Sequence, residues 1–505
     1  MILDSQPSFA QSAVLGSAAV LVWSVWRVVY NLYFHPLAHV PGPRWAAATQ
    51  LWLAYKELWE GTSLSDIRYQ LHAQYGDVIR LTPREIHFAN PEAFHDIYNA
   101  KNKWDKDDHL YRAFDMDLSS LCMPYHQAKQ RKEILNPIFS RSAIVKLQDV
   151  IQARVDVLCD ALKFQHTEGK FSDMTLGFKC FAMDVITSFC YGCPIEATSA
   201  PDFHADLVFG VEEVLPIVTL AKQSRFFVWC IRNTPRWLIH ATGSSPMMAL
   251  LCLQDTLRKQ IDDIVRNPSE LDNAPHQIIY HALLNPEANK GRSIPSKLSL
   301  FHEAQVLLNA GSDTVGITLI VTVYNIINSP GIQQRLHAEL RAAWPNLEEP
   351  PRYEALEKLP YLTAVLKEGL RSFPGGVAFP RVVPPEGAII AGMSVPGGAV
   401  VSQASTFVQH SDTVFERAKE FLPDRWLGDD ATSLERSLII FSKGPRSCLG
   451  INLAYCELYL ALAHVFRRYE LTLDPKRSPD FTFKEHFVPY FPGEHLHVSC
   501  KPVDS

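Results

Sequence analysis

Residues 296–328 are what any fold of this chain must be built around. Pro295 stands before the stretch and Pro330 after it, with no proline between, so it reads as one helix with defined ends. About 30 residues at 1.5 Å each make a rod of about 45 Å, long enough to cross a whole domain. Its apolar content would also suit a bilayer, but Glu303, Asn309, Asp313 and Thr314 lie inside it and place it in a protein interior. A chain of 505 residues, 47% of them hydrophobic, has the material to bury such a rod in one oversized domain or two intimately packed ones.

Around this rod the pattern is mostly helical. Helices are expected over 61–75, from 129 toward 137, over 143–164, 177–191 and 454–469, on the segment begun near Leu359-Pro360 that carries Glu368 and Arg371, and, more briefly, over 415–419. Strands are expected over 78–81 and 86–88, joined through Thr82-Pro83-Arg84-Glu85, and over 393–397 and 399–403. Residues 104–124 mix aromatics, methionines and charges without a steady period and read as a long loop, the kind that often covers a site. Mixed helices and aromatic turns, with Phe226, Phe227 and Trp229, fill 202–257, and a further loop is expected over 487–491.

Residues 9–34 are almost wholly apolar or small, interrupted by Arg27, and are long enough to span a bilayer once. No basic region precedes them and no clear cleavage site follows, so an anchor fits better than a signal peptide. Arg27, His35 and Arg44 follow the apolar core and Asp4 precedes it, which leaves the bulk of the chain in the cytosol. Pro41-Gly42-Pro43-Arg44 then forms a rigid break. The expected division is a membrane anchor at 1–34, a proline-rich hinge at 35–45 and a globular body at 46–505. A net charge of -6 gives no case for nucleic-acid binding, and the ten dispersed cysteines read as buried thiols of a reducing compartment.

The chemistry concentrates in 441–450, where Arg446 and Cys448 stand between Gly444 and Gly450 just before an apolar helix. Free N–H groups at that helix's start face the Cys448 sulfur and favour its anion. Gly444 permits a tight turn, Gly450 keeps a Cβ out of the way, and Phe441 covers the sulfur's other side. Such a lone thiolate suits a haem iron, onto which it pushes electron density that favours O–O cleavage, with Arg446 in reach of a propionate.

Phe441, Gly444, Arg446, Cys448 and Gly450 resemble the haem-binding loop of the cytochrome P450 family, the haem-thiolate monooxygenases. Ala310-Gly311-Ser312-Asp313-Thr314 resembles that family's oxygen-activation segment: Gly311 opens a groove for dioxygen, while Asp313 and Thr314 handle protons. Glu368 and Arg371, three apart on one helix face, match its Glu-x-x-Arg pair, and Arg425, within Phe421-Leu422-Pro423-Asp424-Arg425-Trp426, would complete the network. Arg381 looks like a residue that reaches a propionate. Alignment on Asn136-Pro137-Ile138-Phe139 puts Lys132 where another propionate-binding base often sits and Ala128 where a ring would be, a departure from the pattern. The charged face around Lys132 would equally suit solvent or an acidic electron donor. Phe114, Met116, Leu121, Ala310, Val377, Ala378, Phe379 and Phe487 are the candidates for substrate contact.

The resemblance implies a mainly α fold with small β-sheets (α+β), preceded by a single transmembrane helix. It also implies haem b (iron protoporphyrin IX) and electrons from NADPH through a separate cytochrome P450 reductase, with cytochrome b5 as a further partner. Attachment would be to the endoplasmic reticulum, single-pass, with the catalytic domain facing the cytosol and the aromatic 202–257 region roofing the substrate chamber. The local likeness is to filamentous-fungal enzymes of secondary metabolism, including terpenoid oxygenases, which hydroxylate or epoxidise lipophilic molecules. Polyketide or alkaloid oxidation stays open, as does an isomerase or dehydratase that needs no external electrons.

Overall fold

The computed structural model describes residues 9–375 and 378–503, and divides into two compact units, Met1–Ile97 with Phe379–Gln403 and Tyr98–Ala378 with Ala404–Ser505. In the first unit the apolar helix Phe9–Val29 runs into a π-helical turn, Tyr30–Phe34. Among the described residues two helices have the length and hydropathy to cross a membrane, and burial separates them. Only 6% of the Val14–Phe34 window is buried, against 78% for Lys297–Ile327. The first is a candidate span; the second is core.

The foot of the N-terminal helix is tied to its unit. Buried Asn31 donates from Nδ2 to the Ala48 carbonyl at 2.9 Å, and its own carbonyl accepts from Arg80 Nη1 at 2.9 Å. Gly42 passes so close to the Arg80 strand that a Cβ there would stand 2.7 Å from the Arg80 carbonyl oxygen. That strand, Val78–Arg80, pairs antiparallel with Glu85–Phe88, Ile79 opposite His87. Val400–Ser402 adds on parallel, and Arg381–Val382 pairs antiparallel with Val400–Ser402. Ile67 and Leu71 of the helix Leu64–Tyr75 pack with Ile79 and Leu81.

The second unit is built on Lys297–Ile327, whose start is capped by the Ser296 hydroxyl accepting from Ser299 N. Against it lies Met174–Tyr191, buried along its whole length. The two approach closely: a Cβ on Gly311 would stand 2.6 Å from Ile186 Cγ1, and one on Gly316 3.2 Å from Lys179 Cα. Gln148–Thr167 and Ile451–Arg468 complete the main helical layer. His497–Pro502 pairs antiparallel with Tyr469–Leu473 and Ser172–Asp173 to form a small sheet.

Several expectations need correction. Residues 415–419 form turns, with Arg417 at φ 53°, instead of a helix. The stretch 104–124 contains a helical turn at Asp108–Tyr111, capped by Asp107, and a 3-10 turn at Arg112–Phe114. The helix expected from 129 begins at Tyr125, behind Pro124, and that expected over 143–164 breaks at Leu147 into Arg141–Lys146 and Gln148–Thr167. Lys484–His486 and Val488–Tyr490 form a hairpin with Phe487 at φ 80° between them, so 487–491 is largely strand.

Candidate functional site

The 441–450 loop is folded by its own backbone and braced by distant bases. Ser442 and Gly444 both take left-handed conformations, φ 55° and 74°, and Cys448 N donates to the Phe441 carbonyl at 2.9 Å. A side chain at Gly444 would drive a Cβ to 2.5 Å from the Asn99 carbonyl oxygen, so glycine is required twice over. Lys132 Nζ donates to the Ser447 carbonyl at 2.6 Å, and Arg446 donates to the carbonyls of Ser120, at 2.9 Å, and Met123. Lys132 itself therefore does not simply meet solvent, while Lys129 on the same helix does. The Phe441 ring lies 5.4 Å from that of Tyr455, one turn into the helix Ile451–Arg468.

Cys448 keeps open surface, yet the mass of protein around it pushes its thiol up, against the Gly450 N–H and the Lys132 charge, which pull it down. A cation bonded to this sulfur would favour its anion.

The surroundings fit a flat apolar group carrying that cation. Cys448 keeps open surface within a braced loop. Gly450, at an ordinary φ of −87°, has no protein atom within 4 Å of where its Cβ would be. Midway along the otherwise packed central helix, Asn309 and Ala310 are exposed while Leu308 and Ser312 on either side are buried. These surfaces suit a porphyrin held by one sulfur.

On that helix Thr314 Oγ1 donates to the Ala310 carbonyl at 2.9 Å. Asp313 is buried, and burial raises its carboxyl above the usual range; Lys179 opposes the shift and Glu212 adds to it.

Glu368 and Arg371 end the helix Pro360–Arg371 and are both buried. Arg371 donates Nε and Nη2 to the two Glu368 oxygens at 2.9 and 2.8 Å, and Nη1 to the carbonyls of Gln409 and Ala418. Arg425 Nε, Trp426 Nε1 and Leu422 N also donate to Glu368. The pair thus ties down 409–426, the stretch that leads into the cysteine loop.

A sequence profile of the cytochrome P450 family matches residues 40–493. The chain belongs to the cytochrome P450 family. Similar proteins include a cytochrome P450 monooxygenase, flvC, of Aspergillus flavus, 33% identical over 96% of this chain and 95% of that protein. Another, macH of Penicillium terrestre, is 32% identical over 97% and 98%. The N-acetyltryptophan 6-hydroxylase ivoC of Emericella nidulans is 30% identical over 98% and 96%. This is a cytochrome P450 monooxygenase, and the family implies haem iron on a thiolate, a redox partner and a lipophilic substrate.

The other candidate residues of this P450 fall in both units. Phe114 and Phe487 meet in the second, ring centroids 4.8 Å apart. Met116 is buried there, Leu121 is partly exposed and Ala378 is buried in a bridge to Ala404. Phe379 and Arg381 belong to the first unit, where Arg381 Nη1 donates to the Phe379 carbonyl at 3.1 Å. Val377 lies outside the described residues. Sequence reasoning missed a buried ion pair, Arg131–Glu303 at 3.0 Å, and a part-buried one, Lys179–Glu212. Nothing in the local pattern marks either, because each joins distant segments.

Proposed function

We propose that this cytochrome P450 monooxygenase hydroxylates or epoxidises a lipophilic secondary metabolite of a filamentous fungus, with Cys448 as the axial ligand and Asp313 and Thr314 handling protons. The observation that carries this is the Cys448 thiol, left with open surface in a loop braced by Lys132 and Arg446 and faced by the Gly450 N–H. When bound, haem supplies the reductive activation of dioxygen and the oxygen transfer. The protein's share is positioning and proton supply. Arg446 and Lys132 hold the loop rigid, so that the sulfur is presented in one orientation. Asp313, whose carboxyl burial raises, is the proton source in this reading, and the Thr314 hydroxyl passes the proton on by turning from the Ala310 carbonyl.

A terpenoid is the first substrate reading, supported by the local likeness of 441–460 to terpenoid oxygenases and by the apolar Phe114–Phe487 ring pair. An indole-type substrate is the second, favoured by the likeness to a protein named N-acetyltryptophan 6-hydroxylase. Electrons come from NADPH through a separate reductase, with cytochrome b5 as an auxiliary donor. Residues 1–34 anchor the chain in the endoplasmic reticulum, 35–45 form the hinge, and 46–505 form a catalytic body facing the cytosol. The test is the reduced carbon monoxide complex. The thiolate-type Soret band should appear in the native chain and be absent from Cys448→His; a band unchanged by that substitution defeats the assignment. Spectral titration with terpenes and indoles separates the two substrate readings, and product formed without NADPH would favour an isomerase or dehydratase.

A further inference from the structure

We propose that Glu212 keeps Asp313 a proton donor by holding the Lys179 ammonium away from it. The inference rests on the reading of Asp313 as the acid of the site and names the residues that set its protonation.

Lys179 lies where the central helix and Met174–Tyr191 pack closely. A Cβ on Gly316, one turn beyond Asp313, would stand 3.2 Å from Lys179 Cα and 3.3 Å from its Cγ. From there the side chain, 5% exposed, reaches Glu212 on Asp206–Ala221, and Nζ donates to Glu212 Oε1. Burial pulls the Lys179 amine down, but the Glu212 carboxylate it donates to is the largest influence against that and the net shift is upward, so the amine stays charged. One ammonium therefore stands in the field of two carboxyl groups and donates to only one of them. Asp313 is left 5% exposed and makes no hydrogen bond with the described residues. A carboxyl so placed is biased toward its protonated form, because its ionised form would have little water and no donor.

The charged groups acting on Asp313 are Lys179 on Met174–Tyr191 and Glu212 on Asp206–Ala221, and they pull in opposite directions. Tyr490 and His495 lie in the field of Lys179, and His495 also feels Glu212, but the Nδ1 of that ring is held by Asp173 at 2.8 Å. Removing Glu212 frees Lys179 to turn to Asp313 and ionise it. Removing Lys179 leaves Asp313 beside an unopposed Glu212 and tightens its hold on the proton. The two substitutions thus have opposite effects on one group, a pattern that loss of packing does not produce.

The test is infrared spectroscopy of the haem-loaded full chain in H2O and D2O. Asp313→Asn identifies the carboxylic-acid C=O band of Asp313. Glu212→Gln should move the midpoint of that band's titration down, and Lys179→Met should move it up, each by about one pH unit or more. Absence of the band from the native protein at neutral pH, midpoints that move in the same direction, or midpoints that do not move would each overturn the proposal. The fraction of NADPH electrons released as hydrogen peroxide tests the underlying reading separately. If Asp313→Asn leaves that fraction unchanged while the midpoints still move as stated, Asp313 is tuned as described but is not the donor.

Discussion

Two glycines of this P450 do opposite work, and alanine at each separates them. At Gly311 the added methyl would press on Ile186, 2.6 Å from Cγ1 and 3.0 Å from the fixed Cβ. Overpacking of this kind costs about 1–3 kcal/mol, so Gly311→Ala should lower the urea midpoint of the apoprotein. At Gly450 there is open space and an ordinary φ, so Gly450→Ala should leave apoprotein stability within about 0.5 kcal/mol and instead lower the haem bound per chain in a pyridine haemochrome assay. Glu368→Ala would strand the buried Arg371 guanidinium without its carboxylate and should cost about 3–5 kcal/mol by the same denaturation assay. The Glu368–Arg371 pairing could be read from a spacing of three on one helix. Arg131–Glu303 and Lys179–Glu212 could not, because their members are 172 and 33 residues apart and only packing brings them together.

At the scale of elements, legibility followed how locally an element is determined. The central helix is bounded by prolines and capped by Ser296, and its expected limits fall within a residue or so of Lys297–Ile327. The stretch 415–419 has Phe415 and Ala418 at helical spacing, yet it turns. Arg371 Nη1 takes the Ala418 carbonyl and Asp412 accepts from the Ala418 N–H, so both backbone groups are used outside any helix. The start of Met174–Tyr191 depends on a titratable pair. Asp173 accepts from Leu176 N at 3.1 Å and from His495 Nδ1 at 2.8 Å. The Asp173 hydrogen bond raises His495 above 6.5, so its contribution to stability is complete below that pH and disappears as pH rises through the folded value. Burial pushes Asp173 up, but His495 and the Leu176 N–H outweigh it and hold the carboxyl below 3.8; its contribution is present above that pH and is lost as pH falls through the depressed value. The pair should therefore stabilise most between about pH 4 and about pH 6.5. Asp173→Asn keeps a capping oxygen but no charge, so the melting temperatures of variant and native protein should converge as pH rises past the His495 transition; a gap that stays constant would sink the account.

Over the whole molecule, what the local pattern could not supply was how the N-terminal helix joins its unit. Pro41-Gly42-Pro43 suggests a separator, whereas Asn31 is buried and bonded both to the Ala48 carbonyl and to the Arg80 guanidinium, and Leu37 is fully buried. The helix foot is thus part of the first unit's packing, and two truncations should behave differently. A chain beginning at Tyr30 lacks the apolar helix but keeps Asn31, so the sheet beneath it should be as stable as before. A chain beginning at Pro36 also loses Asn31 and leaves Arg80 Nη1 without that carbonyl. A lost hydrogen bond to a charged donor, together with the unfilled Asn31 site, should cost about 2–4 kcal/mol. Amide exchange in Val78–Arg80 and Glu85–Phe88 would report it directly, rising in the shorter chain and not in the longer. Both truncations remove the proposed anchor and should also lower the fraction of protein that stays with membranes after alkali. Some attachment should persist, because Leu51, Tyr55, Leu58 and Trp59, spaced along one helical stretch of the same unit, remain exposed and suit the interfacial region of a bilayer. Equal amide exchange in the two truncated chains would mean that the helix foot is only tethered to the unit and does not support it.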